Sequence, residues 1–224
     1  MRGIIFDLDG VICFTDEYHY QAWKCLADEL GIRFDREINN RLRGVSRMES
    51  LEIILENSDK AYTAAEKEAL AQKKNAIYQR LLSKMSCSDL SDEVHDTLCA
   101  LRSKGHLLAI GSSSRNAPLI LKRIGLENFF DAVADGNNIS RSKPDPEVFL
   151  KAADLLRLAP QDCLVVEDAK TGAQAAAAAG MQCACLGDAA RRGAGDYQLA
   201  SFADLLKICA KDCAIAPSRE KRAI

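Results

Sequence analysis

The sequence predicts an α/β protein, a parallel sheet flanked by helices, with an all-helical segment inserted after the first strand. Three observations carry this expectation. Short, almost uninterrupted apolar runs occur at Gly3-Ile4-Ile5-Phe6, Leu107-Leu108-Ala109-Ile110 and Cys163-Leu164-Val165-Val166, the pattern of strands buried on both faces. From about residue 91 such runs alternate with amphipathic stretches that end in glycine, as βα units do. Between about residues 14 and 85 no strand pattern occurs, so the first strand must find its partners beyond that block.

In chain order, Thr15 or Asp16 caps a helix through Tyr20, Trp23, Leu26 and Leu30 that stops at Gly31. A second helix covers Arg47 to Glu56. A third opens on the capping box Thr63-Ala64-Ala65-Glu66 and continues through Leu70, Ile77, Leu81 and Leu82. Another ends at Gly105, before the strand at 107–110. Pro118 to Ile124 is helical up to Gly125, and a short strand follows at Ala132-Val133-Ala134. Asp145-Pro146 supplies an N-cap and a proline at the first helical position for a helix through Val148, Phe149, Leu155 and Leu156. The strand at 163–166 leads to an alanine-rich helix from Ala173 to Ala179, ended by Gly180, and Gln182 to Leu186 is a further strand. Residues from about Asp212 are charged or small and are expected to be poorly ordered. The expected organisation is a Rossmann-like core of residues 1–13 and 86–224 with a helical cap of residues 14–85.

Bulk properties exclude more than they suggest. A formal net charge of −2 over 224 residues gives no reason to expect nucleic acid or membrane partners. No apolar run approaches the roughly 18 residues a membrane span needs. The short apolar run at the N-terminus contains Asp7 and Asp9, unlike a signal peptide, so the cytoplasm is expected. The nine cysteines are odd in number and include no Cys-x-x-Cys pair, the closest spacings being Cys183-x-Cys185 and Cys209-x₃-Cys213. Reduced thiols are expected, with Cys25, Cys99 and Cys163 serving as small hydrophobes. Three histidines supply a zinc site poorly.

The chemistry starts at Phe6-Asp7-Leu8-Asp9-Gly10. Two acids one residue apart at a strand end point the same way, with Cα atoms roughly 7 Å apart. Such charges repel unless a cation joins them or one is protonated. Both conditions suit phosphoryl transfer, with one Asp as nucleophile, the other as acid/base, and Mg²⁺ beside them. The competing explanation is an Asp-Gly hairpin turn. Parallel sheets bind ligands beyond the carboxyl ends of their strands, and the other strand ends carry Ser112-Ser113-Ser114-Arg115-Asn116, Lys143, and Glu167-Asp168. Singly these could be helix-capping serines, a solvated lysine and an N-cap aspartate. Together, all following strands, they form a phosphate-plus-Mg²⁺ set.

Asp7/Asp9, Ser112, Lys143 and Glu167/Asp168 resemble the four motifs of the haloacid dehalogenase superfamily, in order and over most of the chain. The stretches 15–23, 43–50 and 72–75 further resemble the caps of its sugar-phosphate mutases, which interconvert β-glucose 1-phosphate and glucose 6-phosphate through an aspartyl phosphate and a bisphosphate. The resemblance implies that Asp7 carries the phosphoryl group and Asp9 shuttles a proton. Mg²⁺ would sit on Asp7, the Asp9 carbonyl, Asp168 and Glu167. Ser112 and Lys143 would hold the transferring group, with Ser113, Ser114, Arg115 and Asn116 along the same loop. In the cap, Arg47 would clamp the second phosphate, and Gly44, Val45, Ser46 and Ser50 would approach the sugar. His19 with Lys74 would link substrate binding to placement of Asp9. Trp23, Asn75 and Thr15 complete the implied substrate-binding set. The sequence departs from the pattern at Phe14 (usually Asp), Ala169 (commonly Ser) and Arg115 (usually Lys). A sugar-phosphate phosphatase of the same superfamily is the nearest alternative, and a catalytically silent phosphosugar-binding protein a more distant one. The expected partners are small sugar phosphates, and one closed core plus cap suggests a monomer.

Overall fold

The computed structural model describes residues 1–42 and 45–213. Six strands, all parallel, form one sheet: β1 (Gly3–Phe6), β2 (Leu107–Gly111), β3 (Ala132–Ala134), β4 (Cys163–Glu167), β5 (Gln182–Cys185) and β6 (Tyr197–Gln198). Their order is β3-β2-β1-β4-β5-β6. β1 therefore lies centrally, with Ile4 in register with Leu108 on one side and Leu164 on the other. The strand order reverses between β1 and β4, and a crevice opens beyond the carboxyl ends of strands at such a point. Asp7 and Asp168 leave the sheet there.

Between β1 and β2 run α1 (Asp16–Glu29), α2 (Arg36–Asn40), α3 (Arg47–Leu55), α4 (Ala64–Leu82) and α5 (Asp92–Ser103). Later come α6 (Ala117–Arg123), α7 (Glu147–Leu155), α8 (Lys170–Ala178), α9 (Gly187–Arg191) and α10 (Leu205–Cys213). Strand alternation sorts the core by face. Ile4, Phe6, Leu108 and Ile110 pack with Leu98 of α5, Ile120 of α6 and Leu205 of α10. Ile5, Ala109 and Val165 pack with Phe149 of α7 and Ala176 of α8. The inserted helices bury a cluster of their own, built on Trp23, Leu26, Phe34, Leu51 and Ile54. Tyr78 and Leu82 of α4, with Ala22 of α1, instead join the sheet-side cluster, so these two helices tie the insertion down.

Several local expectations need correction. Thr15 occupies the N-cap position of α1 but makes no capping bond, because its hydroxyl is used elsewhere. The N-cap of α7 is Pro146, one residue later than expected, with the Asp145 carboxylate accepting from the Glu147 N–H at 3.0 Å. α8 begins at Lys170, three residues before its alanine run, and α3 ends at Leu55. The sequence reading passed over α2, α9, α10 and β6. α2 buries no residue and rests on the Asp35 cap, which accepts from Glu37 N and Ile38 N. β6 is two residues long and α9 five, too short for a period to show. The helix α10 runs through Asp212, where order was expected to fall off; residues 214–224 lie outside the described residues. Cys163 is buried as expected, but Cys25 and Cys99 are exposed, each at a helix position facing water. Among the described side chains every cysteine is a free thiol. No helix among the described residues is long and apolar enough to cross a membrane.

Candidate active site

A cavity of about 380 Å³ lies between the carboxyl ends of the strands and the inserted helices. At its floor, Asp7, Glu167 and Asp168 each bring a carboxylate oxygen within 4.8 Å of the other two. The backbone dictates this meeting. Asp7 N donates to Val166 O at 2.9 Å, which extends the β1–β4 pairing by one residue and sets the two acidic strand ends side by side. Gly10, at φ +90°, leaves the space that Asp168 occupies, since a Cβ there would overlap its carboxylate.

Lys143 reaches this floor from the loop before α7. The residue is 3% exposed, and its ammonium donates to Asp7 Oδ1 and, at 2.6 Å, to Glu167 Oε1. Burial alone would lower its pKa, but Asp7 and Glu167 outweigh burial and hold it above the usual lysine range. Burial pushes the Asp7 carboxyl well up; Lys143 opposes this, while Glu167, Asp9 and Asp168 add to it. One lysine thus fails to balance three acids. The uncompensated, oxygen-only cluster fits a hard divalent cation of the Mg²⁺ type, and Asp7, Glu167 and Asp168 are the side chains that would hold it.

Glu167 is fixed by more than its salt bridge. Its Oε2 accepts from Asp168 N at 2.9 Å and Ala169 N at 3.0 Å, taking over the α8 N-terminus that Ala169 has no side chain to cap. The carboxylate lies where a Cβ on Gly172 would stand. We expect Gly172→Ala to displace Glu167 and weaken Mg²⁺ binding about 10- to 100-fold in calorimetric titration, as loss of a metal-orienting contact does. Helix propensity alone favours the alanine by about 1 kcal/mol. A more stable variant with unchanged Mg²⁺ affinity would therefore refute the placement.

Asp9 stands apart from the acidic triplet and accepts a hydrogen bond from the Thr15 hydroxyl. Burial pushes its carboxyl up to about 6, against the lowering effect of that hydroxyl. A group titrating there is poised for proton transfer near neutrality. Thr15→Val removes the opposing donor, so the pKa rises further. If Asp9 acts as the base, the acidic limb of kcat/KM must move to higher pH. The variant is expected to lose most activity near pH 6 and least near pH 8, in a profile measured from about pH 5 to 9. An unshifted limb would remove Thr15 from control of Asp9.

Above the floor, the loop after β2 presents Ser112, Ser113, Ser114 and Arg115 to the cavity. Ser112 Oγ accepts from Ser114 N at 3.1 Å and Ser114 Oγ from Asn116 N at 3.2 Å, which keeps the loop tightly wound. The Ser113 hydroxyl is buried without a hydrogen-bond partner, a donor free for a phosphate oxygen. Gly136 allows the close approach, since a Cβ there would lie 2.5 Å from the Ser113 carbonyl oxygen.

The inserted helices supply the roof with Trp23, Val45, Ser46, Arg47, Ser50 and Lys74. Ser46 also caps α3 through Glu49 N at 3.2 Å. Burial, then the nearby Arg115, lowers the Arg47 guanidinium, with Glu68 opposing. Two arginines crowded onto one cavity make a receptor for a dianion. Lys74 is 2% exposed and its Nζ lies 2.9 Å from His19 Nδ1. Burial, then Lys74 and Arg47, lowers the His19 pKa well below the usual range. His19 is accordingly neutral, and burial, then Arg47, lowers the Lys74 ammonium well below the usual lysine range as well, with Asp9 opposing.

Three expected substrate contacts take other partners or lie outside view. Thr15 is fully buried, does not line the cavity and serves Asp9. Asn75 lines the cavity, but its Oδ1 accepts from Asn116 Nδ2 at 2.9 Å, while Asn116 Oδ1 accepts from Gln79, so these amides join α4 to the β2 loop. Gly44 lies outside the described residues. Phe14, the departure at the start of the insertion, is 77% exposed. The sequence reading missed Glu68, Gly136 and Ser140, which also line the cavity. Glu68 reads as one solvated helix charge among many, and although exposed it borders the cavity only through the fold.

The haloacid dehalogenase-like hydrolase family model matches residues 1–180. The chain is 46% identical over 183 residues to the β-phosphoglucomutase of Bacillus subtilis, covering 81% of each. It is 30% identical over 185 residues to a phosphorylated carbohydrates phosphatase of Thermotoga maritima, covering 81% of this chain and 83% of that one. The crystal structure of a β-phosphoglucomutase from Clostridium difficile superposes with a TM-score of 0.88 at 32% identity, covering 96% of this chain and 100% of that one.

Proposed function

The chain belongs to the haloacid dehalogenase-like hydrolases, and from that premise we propose that it catalyses the β-phosphoglucomutase reaction, interconverting β-glucose 1-phosphate and glucose 6-phosphate as an Mg²⁺-dependent phosphotransferase. Residues 14–85 act as a cap over a core formed by residues 1–13 and 86–224. The observation that carries this reading is that one cavity holds both the Asp7/Asp9 pair of the core and the Arg47 guanidinium and Lys74–His19 pair of the cap. A phosphatase needs only the former; a bisphosphate needs a second anion receptor.

In the cycle, Asp7 starts as the aspartyl phosphate. Asp9 takes the proton of the sugar C6 hydroxyl as that oxygen bonds to phosphorus and the Asp7–phosphoryl bond breaks. Glucose 1,6-bisphosphate results, and Arg47 with Arg115 holds whichever phosphate is not reacting. After the sugar turns around, Asp7 attacks the C1 phosphate and Asp9 returns its proton to the C1 oxygen, releasing glucose 6-phosphate. Lys143 balances charge on the phosphoryl oxygens, and the Ser112–Ser114 loop orients them. Bound Mg²⁺ supplies positive charge against the transferring group. Trp23 and the rest of the cap exclude water, which would otherwise discharge the aspartyl phosphate.

The test is incubation with β-glucose 1-phosphate, Mg²⁺ and a trace of glucose 1,6-bisphosphate. Glucose 6-phosphate is the expected product. Free phosphate as the main product would instead establish sugar-phosphate hydrolysis, the reading that the Thermotoga relative favours.

A further inference from the structure

Tyr78 is a residue that neither the sequence motifs nor the reaction above employs. It is fully buried on α4, and its hydroxyl has no hydrogen-bond partner. Packing alone favours phenylalanine at such a place, because a buried, unsatisfied hydroxyl costs about 1–3 kcal/mol. The ring, by contrast, is fully engaged. Its centroid lies 4.0 Å from that of His19, and Lys74 Nζ stands 4.6 Å above it. His19 sits one turn beyond Thr15 on α1, its N–H donating to Thr15 O at 3.0 Å. Burial pushes the Tyr78 phenol well up, and the charge of Asp9 adds to this.

The geometry of the hydroxyls allows one direction of bonding. Thr15 has a single O–H, and it is donated to Asp9. Its oxygen can therefore only accept from Tyr78. We propose that Tyr78 is a positioning residue: with sugar phosphate drawn against Lys74 and His19, its hydroxyl closes onto Thr15 and completes a chain from Tyr78 through Thr15 to the Asp9 carboxylate. The same side chain thereby touches the cap's substrate-sensing pair with its ring and reaches the proton shuttle through Thr15 with its hydroxyl. Such serial hydrogen bonds reinforce one another in a buried site. This role rests on the use of Asp9 proposed above.

Tyr78→Phe keeps the ring and removes only the oxygen. We expect kcat to fall about tenfold with KM unchanged within about twofold, since a small misplacement of a catalytic group slows the chemical step more than binding. The melting temperature should stay equal or rise. In a Thr15→Val background the same change should have no further effect on kcat, because the chain is already cut. The rate is taken as the sum of glucose 6-phosphate and free phosphate formed. The wild-type product ratio then reports on the mutase reading, while the variant's kcat reports on Tyr78 in either case. Unchanged kcat, a full tenfold loss persisting in the Thr15→Val background, or a lowered melting temperature accompanying the loss would each overturn the proposal.

Discussion

Asp7→Asn is expected to abolish phosphoenzyme formation and to lower turnover about 10⁴-fold or more, the scale of loss when a covalent nucleophile is removed. The amide keeps the shape of the side chain but offers no anionic oxygen to phosphorus. Folding should survive the change. Ionising Asp7 is costly, because burial and three neighbouring acids oppose the charge. Replacing it by a neutral group relieves that repulsion, and Lys143 retains its 2.6 Å bond to Glu167. The variant should therefore melt no lower than the wild type in the absence of Mg²⁺. Intact-mass measurement after incubation with glucose 1,6-bisphosphate checks the first point, where wild type gains one phosphoryl group and the variant none. Persistent turnover in Asp7→Asn would move the nucleophile elsewhere.

Lys143→Met is expected to damage both stability and catalysis. The ammonium is buried between two carboxylates, and removing one partner of such a cluster typically costs about 3–5 kcal/mol. That is a large part of the 5–15 kcal/mol that a folded protein usually holds in total. For a chain of this size it corresponds to a fall in melting temperature of about 10 °C. Mg²⁺ offers the stranded carboxylates another cation, so it should stabilise the variant more than the wild type. Catalysis should drop about 10²- to 10³-fold, the range for losing one preorganised charge at a reacting centre. Equal melting curves for the two proteins without Mg²⁺ would mean that Lys143 does not bear this load.

Much of the site was legible before any coordinates, for a physical reason. Parallel strands buried on both faces have to be apolar throughout, so polar residues at their carboxyl ends are conspicuous. Asp7, Ser112 and Glu167 each stand at such a border, and the structure brings them into one cavity. Lys143, in a loop, was found by its place in the series and by resemblance. The inserted helices were harder to read. Arg47, Lys74 and Glu68 are charges on helices, indistinguishable by period from solvated ones, and one of them had no signal at all.

What the sequence by itself determined is the class of fold, the βα rhythm with its helical insertion, and the set of acids, serines and lysine that gather at the strand ends. Those properties are written in neighbouring residues, through strand alternation, glycine stops and capping pairs. Only the tertiary structure decided which polar groups serve one another. Thr15 has the position of a helix cap but gives its hydroxyl to Asp9. Asn75 reaches Asn116 across 41 residues, and Lys143 reaches Asp7 across 136. Cys25 and Cys99 were expected to be buried and are exposed, whereas the Tyr78 hydroxyl was not noticed and lies unpartnered on α4. A side chain can be bonded in several ways by local rules alone. Which bond it makes depends on the groups that packing places within about 3 Å, and those come from distant parts of the chain.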